Sequence, residues 1–465
     1  MSGPRRPGGR EASRRPGRHT GAAPQGAAER GAIIARFRSK NHDPGPEVRL
    51  SSAEGCNVHD ASVFLELTSA RIDHAGDDRV RLTGEVRYAD SRREAIWYEV
   101  PAALERDLSA TGNPWLVALL PLAAKLGEEL RISLPVDRLL VRNLTELMRI
   151  WRGWYPDLHE VPLDVSICDA PVFRPAHSPV RTAAFFSGGV DSFYTVLRHD
   201  ECVPGRLPID DLISVQGFDF PLAVGDAFHR HLHRLERAGR ELGKSVVWVA
   251  TNLKESRLRE APWADLWHGS ALASVGLALE KRYRHLLIAA SSVYEEAEPL
   301  GSHPLTDPLH STGATQVLHD GADATRTEKT VRVARSDVAL SALHVCYREH
   351  QSENCGRCRK CSLTMATLAA LGVLERCPTF PQSLDLERIG RVYLPSPMQR
   401  RGARRLRNLA EKHRRADLVR AIDRAVAASA VRARLIAAVR LALPFWRLSP
   451  VAKRLKRAIL SGAIQ

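Results

Sequence analysis

The chain of 465 residues has little of what marks a membrane or secreted protein. No window approaches about 18 consecutive apolar residues, the length that a transmembrane helix needs. The N-terminus is rich in Gly, Pro and Arg, and it has no apolar segment of the kind that a secretory signal requires. We therefore expect a soluble, cytoplasmic protein without a membrane span.

Internal repeats are also missing. No unit of about 20 to 50 residues recurs along the chain, which argues against a solenoid or a propeller. Aromatic residues make up only 6% of the chain, and the basic C-terminal region has little to stack on bases apart from Phe445 and Trp446. The length exceeds one ordinary core, so two folded domains with tails are expected.

The net charge of +15 is concentrated at the two ends of the chain. Residues 1–40 carry +8 and residues 399–465 carry +15, so the region between them is acidic, with a net charge of −8. The high isoelectric point therefore does not make the centre of the protein a nucleic-acid groove. The basic helical region predicted at 398–465 has three open interpretations: it binds an anionic membrane surface, it follows RNA phosphates, or it packs on the body with its charges in water.

The first third of the chain divides into a tail and an accessory region. Residues 1–45 hold too few large apolar groups to form a core and are predicted to be a disordered basic tail. Residues 50–172 are predicted to form an α+β accessory domain of unknown role. Apolar and polar residues alternate over 80–100, which predicts a β-hairpin, and helices are expected at about 115–130 and 136–154.

Residues 180–376 switch to alternating strands and helices. This order implies a parallel sheet covered on both faces, a Rossmann-like α/β fold, whose ligands bind at the carboxyl ends of the strands. The predicted strands are 182–186, 211–216, 245–250, 285–290 and 315–319, and the predicted helices are about 191–199, 223–242, 264–283 and 327–338.

A turn rich in Ser and Gly directly follows the first of these strands. Its residues are Ser187, Gly188, Gly189, Val190, Asp191 and Ser192. The two glycines let the backbone pass close to phosphate oxygens, and the N-terminus of the next helix adds its positive end. The serines can donate hydroxyl hydrogen bonds to the same oxygens, and the aspartate is suited to hold Mg²⁺ beside a pyrophosphate leaving group. The turn lacks the Gly-Lys-Ser/Thr ending of a Walker loop.

This turn resembles the Ser-Gly-Gly-x-Asp-Ser loop of the PP-loop ATP pyrophosphatases. The resemblance implies a sheet of the PP-loop (HUP) type, with ATP bound by the six residues from Ser187 to Ser192. It also implies that ATP is split between its α and β phosphates, and that a nitrogen or sulfur nucleophile then attacks an adenylated intermediate. A turn of this composition that serves only packing is the alternative.

Half of the eight cysteines form one cluster. Its members are Cys346, Cys355, Cys358 and Cys361, whereas Cys56, Cys168, Cys202 and Cys377 are scattered. Four thiolates at these spacings can wrap a tetrahedral ion, and the basic residues around them favour deprotonated sulfur. Structural Zn²⁺ is the expected occupant, and an iron–sulfur cluster or redox-active thiols are the open alternatives.

The order of these motifs resembles the 7-cyano-7-deazaguanine synthase family, in which a PP-loop is followed by Val-Cys-Tyr and then Cys-Gly-x-Cys-x-x-Cys. Over about 180–375 the resemblance implies a zinc element at 346–361 and an ATP-dependent conversion of a carboxylate to an amide and a nitrile, with ammonia as donor. Lys329 stands where a phosphate-contacting lysine would fall. The segment 301–308 does not match the family's usual substrate loop, so we expect a paralogue acting on another acid or amide.

Three further groups follow strands of the predicted sheet. His303, with Asp307, is a candidate to bind or deprotonate a substrate, which makes it a candidate catalytic residue beside Asp191 and Lys329. His268 has the same possibility, and a structural role is the alternative for both histidines. Glu296 and its acidic neighbours are expected to form a solvated loop face.

Three functional hypotheses follow. The first is an adenylating enzyme that uses ATP, Mg²⁺ and a structural Zn²⁺ to activate a small-molecule acid or amide for attack by ammonia or another nucleophile. The second is a PP-loop enzyme that modifies tRNA, delivered by the basic ends. The third is a non-catalytic ATP-binding or scaffold protein. The oligomeric state is not legible from the sequence.

Overall fold

The computed structural model describes residues 63–169, 172, 179–201, 203–348 and 351–442, with the backbone alone over 437–442. The tail predicted at 1–45 and the part of the basic C-terminal region beyond residue 442 lie outside these residues. Among the helices described, none combines the length and the apolar character that crossing a membrane needs.

Ten strands form a single sheet in the described residues. The strands are β1 (Phe64–His74), β2 (Arg79–Arg87), β3 (Arg93–Pro101), β4 (Glu129–Asp137), β5 (Leu163–Cys168), β6 (Arg181–Phe185), β7 (Asp211–Gln216), β8 (Ser245–Thr251), β9 (Tyr283–Ala289) and β10 (Gln316–Asp320). Their order across the sheet is β10-β9-β6-β7-β8-β3-β2-β1-β4-β5. Pairing is parallel from β10 to β8 and from β1 to β5, and antiparallel in between.

Eleven α-helices accompany the sheet in the described part of the chain. They are α1 (Asn113–Leu126), α2 (Arg138–Trp154), α3 (Val190–His199), α4 (Gly225–Glu241), α5 (His268–Ala278), α6 (Arg326–Val333), α7 (Asp337–Ala342), α8 (Arg359–Ala370), α9 (Leu386–Arg391), α10 (Pro397–Lys412) and α11 (Ala416–Ala442).

The five strands from β6 to β10 confirm the predicted parallel sheet. Numbered along the chain, they lie in the order 3-2-1-4-5, the arrangement of a doubly wound α/β fold. In this arrangement the connections leave in opposite directions on the two sides of β6. The crevice outside the carboxyl ends of β6 and β9 is the switch point at which such sheets bind ligands.

The accessory region and the parallel strands share this one sheet. β3 pairs antiparallel with β8, with Tyr98 opposite Thr251 and Glu99 opposite Ala250. α1 lies in the core beneath the junction, where a Cβ atom on Gly84 of β2 would come within 2.8 Å of the Trp115 ring. The two regions therefore bury a common core.

Two predicted helix boundaries were wrong, one in the accessory region and one in the region of the parallel sheet. The helix expected to run to about 130 ends at Leu126, because Gly127 adopts a left-handed conformation with φ of +71° and turns the chain into β4. The helix expected at 327–338 is two helices, α6 and α7, and Ser336 caps the second through its side chain.

Candidate nucleotide and metal sites

The turn between β6 and α3 is built for close backbone approach. Gly188 has φ of +69°, and a Cβ atom there would lie 2.8 Å from Cδ2 of Leu235. Gly189 ends the turn as the N-cap of α3, and the hydroxyl of Ser192 donates to the Gly189 carbonyl oxygen at 3.1 Å. Glycine is needed at position 188 both for its conformation and for lack of space.

Two contacts from other elements hold the turn in place. Nε2 of His231, on α4, donates to the carbonyl oxygen of Ser187 at 3.2 Å. The backbone N–H of His344 donates to the carbonyl oxygen of Gly188 at 2.8 Å. Both anchors donate to carbonyl oxygens, so they do not use the turn's own N–H groups.

His231 supports the turn as a neutral side chain. It is 2% exposed and stacks against Phe220 with ring centroids 5.0 Å apart. Burial, with a smaller contribution from neighbouring His344, lowers the pKa of His231 to about 3. The imidazole therefore donates its hydrogen bond without placing a positive charge beneath the turn.

Asp191 lies between two cations of α6. Its Oδ2 atom forms an ion pair with Arg326, and its Oδ1 atom is 3.6 Å from Nζ of Lys329. Oδ1 is buried and has no hydrogen-bond partner among the described residues. One carboxylate oxygen is thus paired with Arg326, and the other lies beside Lys329 without a hydrogen bond.

Lys329 lies beside Asp191, but its side chain is buried. It is 1% exposed, donates to the carbonyl oxygen of Ala290 at 2.5 Å, and does not line the cavity described next. Burial lowers the pKa of its ammonium group, against the opposing effect of Asp191. Arg326 and Lys360 are the cations in the lining of the cavity, and the sequence reasoning missed Arg326. Thr325 and Glu328 form a capping box after β10, a sequence signal that places residue 326 at the sheet's carboxyl edge.

A cavity of about 310 Å³ lies above the turn at the predicted carboxyl edge. Its lining includes the turn, with Ser187, Asp191 and Arg326. It also includes Phe218 and Trp263, whose ring centroids are 5.0 Å apart. The turn and Arg326 offer hydrogen-bond donors and a cation, as phosphates require, and the two rings offer flat apolar surface, as a base requires.

The structure separates the two candidate histidines. His268, the first residue of α5, lines the cavity, its ring centroid 5.2 Å from that of Trp263, and burial lowers its pKa. His303 does not line the cavity. It is 6% exposed, packs edge-on against Trp154, and accepts at Nδ1 from the backbone N–H of Leu305.

The segment around His303 is a packed loop rather than an open one. Asp307 is fully buried, and its carboxylate accepts from Ser302 Oγ and pairs with His319 Nδ1, both at 2.7 Å. A Cβ atom on Gly269 would lie 2.5 Å from Asp307 Oδ1. These contacts give Asp307 a structural role. No contact joins His303 to the turn among the described residues.

The four clustered cysteines converge as predicted. Their sulfur atoms all lie within 4.8 Å of one another, and those of Cys355 and Cys361 are 3.8 Å apart. A tetrahedral zinc site with Zn–S bonds of about 2.3 Å spaces its sulfurs by roughly 3.8 Å, so the cluster fits Zn²⁺. Cys377, buried nearby, donates instead to the carbonyl oxygen of Leu340.

Local backbone geometry directs hydrogen-bond donors at this cluster. Gly356, with φ of +66°, turns the chain so that the N–H groups of Arg357 and Cys358 both point at the Cys355 sulfur, at 3.4 and 3.3 Å. A hydrogen bond from Cys361 lowers the pKa of Cys358 to about 5 and raises the pKa of Cys361 itself, while burial raises the pKa of Cys355. Asn354, which sequence reasoning missed, accepts at Oδ1 from the backbone N–H groups of Val345 and Cys346 and so ties the two halves of the cluster together.

The cysteine cluster and the cavity share a wall. Cys346 lines the cavity, together with Tyr347 and Lys360, whose ammonium group lies 5.0 Å from the Tyr347 ring centre. His344, two residues before Cys346, holds the turn at Gly188. A metal ion at the cluster would therefore fix one side of the cavity.

The expectation of a solvated acidic face was wrong for Glu296. Its side chain is 8% exposed and forms ion pairs with Arg401 at 2.6 Å and Arg405 at 2.8 Å, both on α10. Leu406 and Ala403 of the same helix are buried. At least this part of the basic C-terminal region packs on the body.

Comparison of the chain with protein-family models, with curated proteins and with solved structures found no significant match.

Proposed function

We propose that the chain is an ATP-dependent adenylating enzyme that forms AMP and pyrophosphate while activating a carboxylate or amide. The observation that carries this proposal is the position of the Ser-Gly-Gly-Val-Asp-Ser turn at the switch point of a doubly wound sheet, beside a cavity lined by both polar and aromatic side chains. Phosphates would match the polar groups of the turn, and an adenine ring would match the aromatic side chains.

The turn and the cations around it would hold the triphosphate. The start of α3, Ser187 and Arg326 all line the cavity, so backbone N–H groups, a hydroxyl and a guanidinium would be available to phosphate oxygens. Fixed donors of this kind stabilise charge that develops on a transferring phosphorus. Lys329 would act from below, by holding the Asp191 carboxylate in place.

The Asp191 carboxylate would supply an oxygen ligand to a cation that accompanies ATP. Its Oδ1 atom has no hydrogen-bond partner among the described residues and lies 3.6 Å from Lys329 Nζ, and Mg²⁺ prefers oxygen ligands. When bound, Mg²⁺ would neutralise charge on the pyrophosphate leaving group.

The proposed reaction balances without an oxidant or reductant. A carboxylate oxygen of the substrate attacks the α phosphorus, an O–P bond forms, and the bond to the β phosphate breaks as pyrophosphate leaves with its electron pair. Ammonia then attacks the acyl carbon, a C–N bond forms, and AMP leaves with the electrons of the broken C–O bond. A proton from the attacking nitrogen passes to water.

The cysteine cluster has a structural part in this proposal. Four thiolates leave no open position for a substrate on Zn²⁺, so the ion would hold the wall that contains Tyr347 and Lys360. The combination of turn and cluster supports a 7-cyano-7-deazaguanine synthase-like enzyme. The departure of segment 301–308 from that family's pattern favours a different acid or amide as substrate.

Acid-dependent exchange of labelled pyrophosphate into ATP tests the adenylation step directly. We expect wild-type protein to catalyse this exchange with Mg²⁺ and at least one acid of a mixed panel. Asp191→Asn should lower the rate by about 100-fold or more, the order seen when a group that stabilises a transition state is removed. Asp226→Asn is the matched control, since Asp226 is an exposed aspartate in the first turn of α4.

Two results would count against the proposal. Equal exchange in the Asp191 variant and the wild type would remove Asp191 from the reaction. Tight ATP binding with no exchange for any acid would favour a non-catalytic ATP-binding protein.

A further inference from the structure

A second cavity, of about 280 Å³, adjoins the first, and Asp191 lines both. It lies between α6, α8 and α10. The two cavities share four lining residues: Asp191, Ser291, Arg326 and Lys360. A molecule in the second cavity would therefore meet a nucleotide in the first at the carboxylate and the guanidinium that flank the turn.

α10 closes the second cavity and is firmly attached to the body. Ser396 caps the helix through its side chain, and Leu406 is 3% exposed. The ion pairs of Arg401 and Arg405 with Glu296 fasten the helix to the segment that follows β9. The second cavity is therefore part of the folded structure. α10, which follows the cysteine cluster in the chain, forms one of its walls.

The lining of the second cavity combines an apolar surface with unpaired positive charge. Leu363, Met398 and Leu406 supply the apolar part. Arg359 and Lys360, at the start of α8, also line it, and neither forms an ion pair within the described part of the chain. By contrast, Arg326 and Arg405 are already paired with carboxylates.

Gln399 also lines the cavity, and its Oε1 atom is buried without a hydrogen-bond partner among the described residues. An amide oxygen accepts hydrogen bonds, so it would pair with an N–H or O–H group on the body of a ligand rather than with a carboxylate.

We propose that this second cavity binds the acceptor substrate, a small carboxylic acid with an apolar body. The carboxylate lies by Arg359 and Lys360, where it faces the shared edge at Asp191 and hence the α phosphate. The apolar body lies against α8 and α10. The assignment as acceptor rests on the proposed adenylation, whereas the binding of an acid at this place does not. A neutral amide of the same shape would not form ion pairs with Arg359 and Lys360. A free phosphate ion would have no apolar group to pack against α8 and α10.

Gly402 allows the cavity to be filled without disturbing the fold. It lines the cavity on α10, and a Cβ atom at this position would meet no other atom within 4 Å. Gly402→Phe should therefore occupy the cavity, and replacing a helical glycine is not expected to weaken the helix. Gly153→Phe is the matched control, because Gly153 lies on α2, lines neither cavity and also has open space around it.

The test is ligand-observed NMR on the full chain with its metal, using benzoate, indole-3-carboxylate and 1-naphthoate as probes and their carboxamides as neutral counterparts. We expect at least one acid to bind the wild type and Gly153→Phe. Gly402→Phe should weaken that binding by about tenfold or more, equivalent to about 1.4 kcal/mol, while a fluorescent ATP analogue keeps its affinity. Arg359→Gln, checked for unchanged metal content, should weaken the acid about threefold to tenfold and leave its carboxamide unaffected.

Each other outcome decides a separate point. Unchanged acid binding in Gly402→Phe would overturn the cavity as the site. Equal binding of acids and carboxamides, or no binding by any acid, would overturn the substrate class. Acid binding that Gly402→Phe abolishes, without any pyrophosphate exchange, would uphold the site and contradict the proposed adenylation instead.

Discussion

Single residues of the turn combine conformational and steric demands. Gly188 needs a left-handed backbone and lies too close to Leu235 for any side chain, while His231 must be neutral to donate beneath the turn. The glycines could be predicted from the sequence, because a tight strand-to-helix turn is a local feature. The support from His231 could not, since it depends on a contact between residues 44 positions apart.

Gly188→Ala should destabilise the protein and impair nucleotide binding together. The new Cβ atom would lie 2.8 Å from Leu235 in a left-handed conformation, so we expect a loss of about 2 to 4 kcal/mol in the free energy of unfolding. Gly205→Ala is the control, as Gly205 has φ of +86° but no atom within 4 Å, and should cost about 1 kcal/mol. Denaturant unfolding checks both variants, and equal losses would show that steric crowding at the turn is unimportant.

His231 should make stability depend on pH. Its pKa is about 3 in the folded protein and 6.5 in the unfolded chain, so the unfolded state binds more protons between these values. The stability that the neutral imidazole allows is fully present above pH 6.5 and is lost as the pH falls toward 3. Each pH unit across most of this window costs about 1.4 kcal/mol.

His231→Gln separates this contribution from those of other groups. Glutamine can still donate to the Ser187 carbonyl oxygen but does not titrate, so its unfolding free energy should fall less steeply than that of the wild type between about pH 6 and 4. Urea unfolding across this range measures the difference. Parallel pH profiles for the two proteins would contradict a neutral, buried His231.

Among the helices and strands, those with a clear pattern of apolar residues could be predicted from the sequence. β6 to β10 were predicted to within a few residues, because each contains a short apolar run. β4 and β5 were missed. β4 alternates apolar Leu130 and Ile132 with Arg131 and Ser133, directly after a helix that was expected to continue, and β5 is a six-residue edge strand.

Among the functional elements, the turn and the cysteine cluster were predicted because their residues are close in sequence. Arg326 and the cavity on α10 were not, since their partners Asp191 and Glu296 are more than 100 residues away. His303 was chosen from its place after a strand, but the packing of Asp307 keeps that loop away from the cavity.

Loss of metal from the cysteine cluster should weaken nucleotide binding. Cys346 and Lys360 line the first cavity, and the N–H of His344 holds Gly188, so disorder of the cluster releases one wall and one anchor. We expect close to one Zn²⁺ per chain, lost in Cys361→Ser, and a nucleotide affinity reduced by about tenfold or more. Elemental analysis and a fluorescent ATP analogue provide the measurements.

Cys168→Ser serves as the control for that experiment, because Cys168 lies at the end of β5 outside the cluster. It should keep both metal and nucleotide affinity. Full nucleotide affinity in a metal-free Cys361→Ser protein would contradict the coupling between cluster and cavity.

The whole molecule is organised around one sheet and one edge of it. The pairing of β3 with β8 joins residues about 150 positions apart, so no local pattern could predict that the accessory region extends the parallel sheet. The turn, the cysteine cluster and α10 all meet at the carboxyl edge of the parallel strands. The described part of α10 uses Arg401 and Arg405 to bind Glu296, which explains some of the positive charge without RNA or membrane.

We propose that ATP is cleaved between its α and β phosphates at the Ser187–Ser192 turn. The most direct measurement is the identity of the nucleotide product, resolved by chromatography after incubation of the purified chain with Mg-ATP, ammonia and the acid panel. We expect AMP and pyrophosphate in equal amounts, formed only when an acid is present. Formation of ADP and phosphate would contradict it.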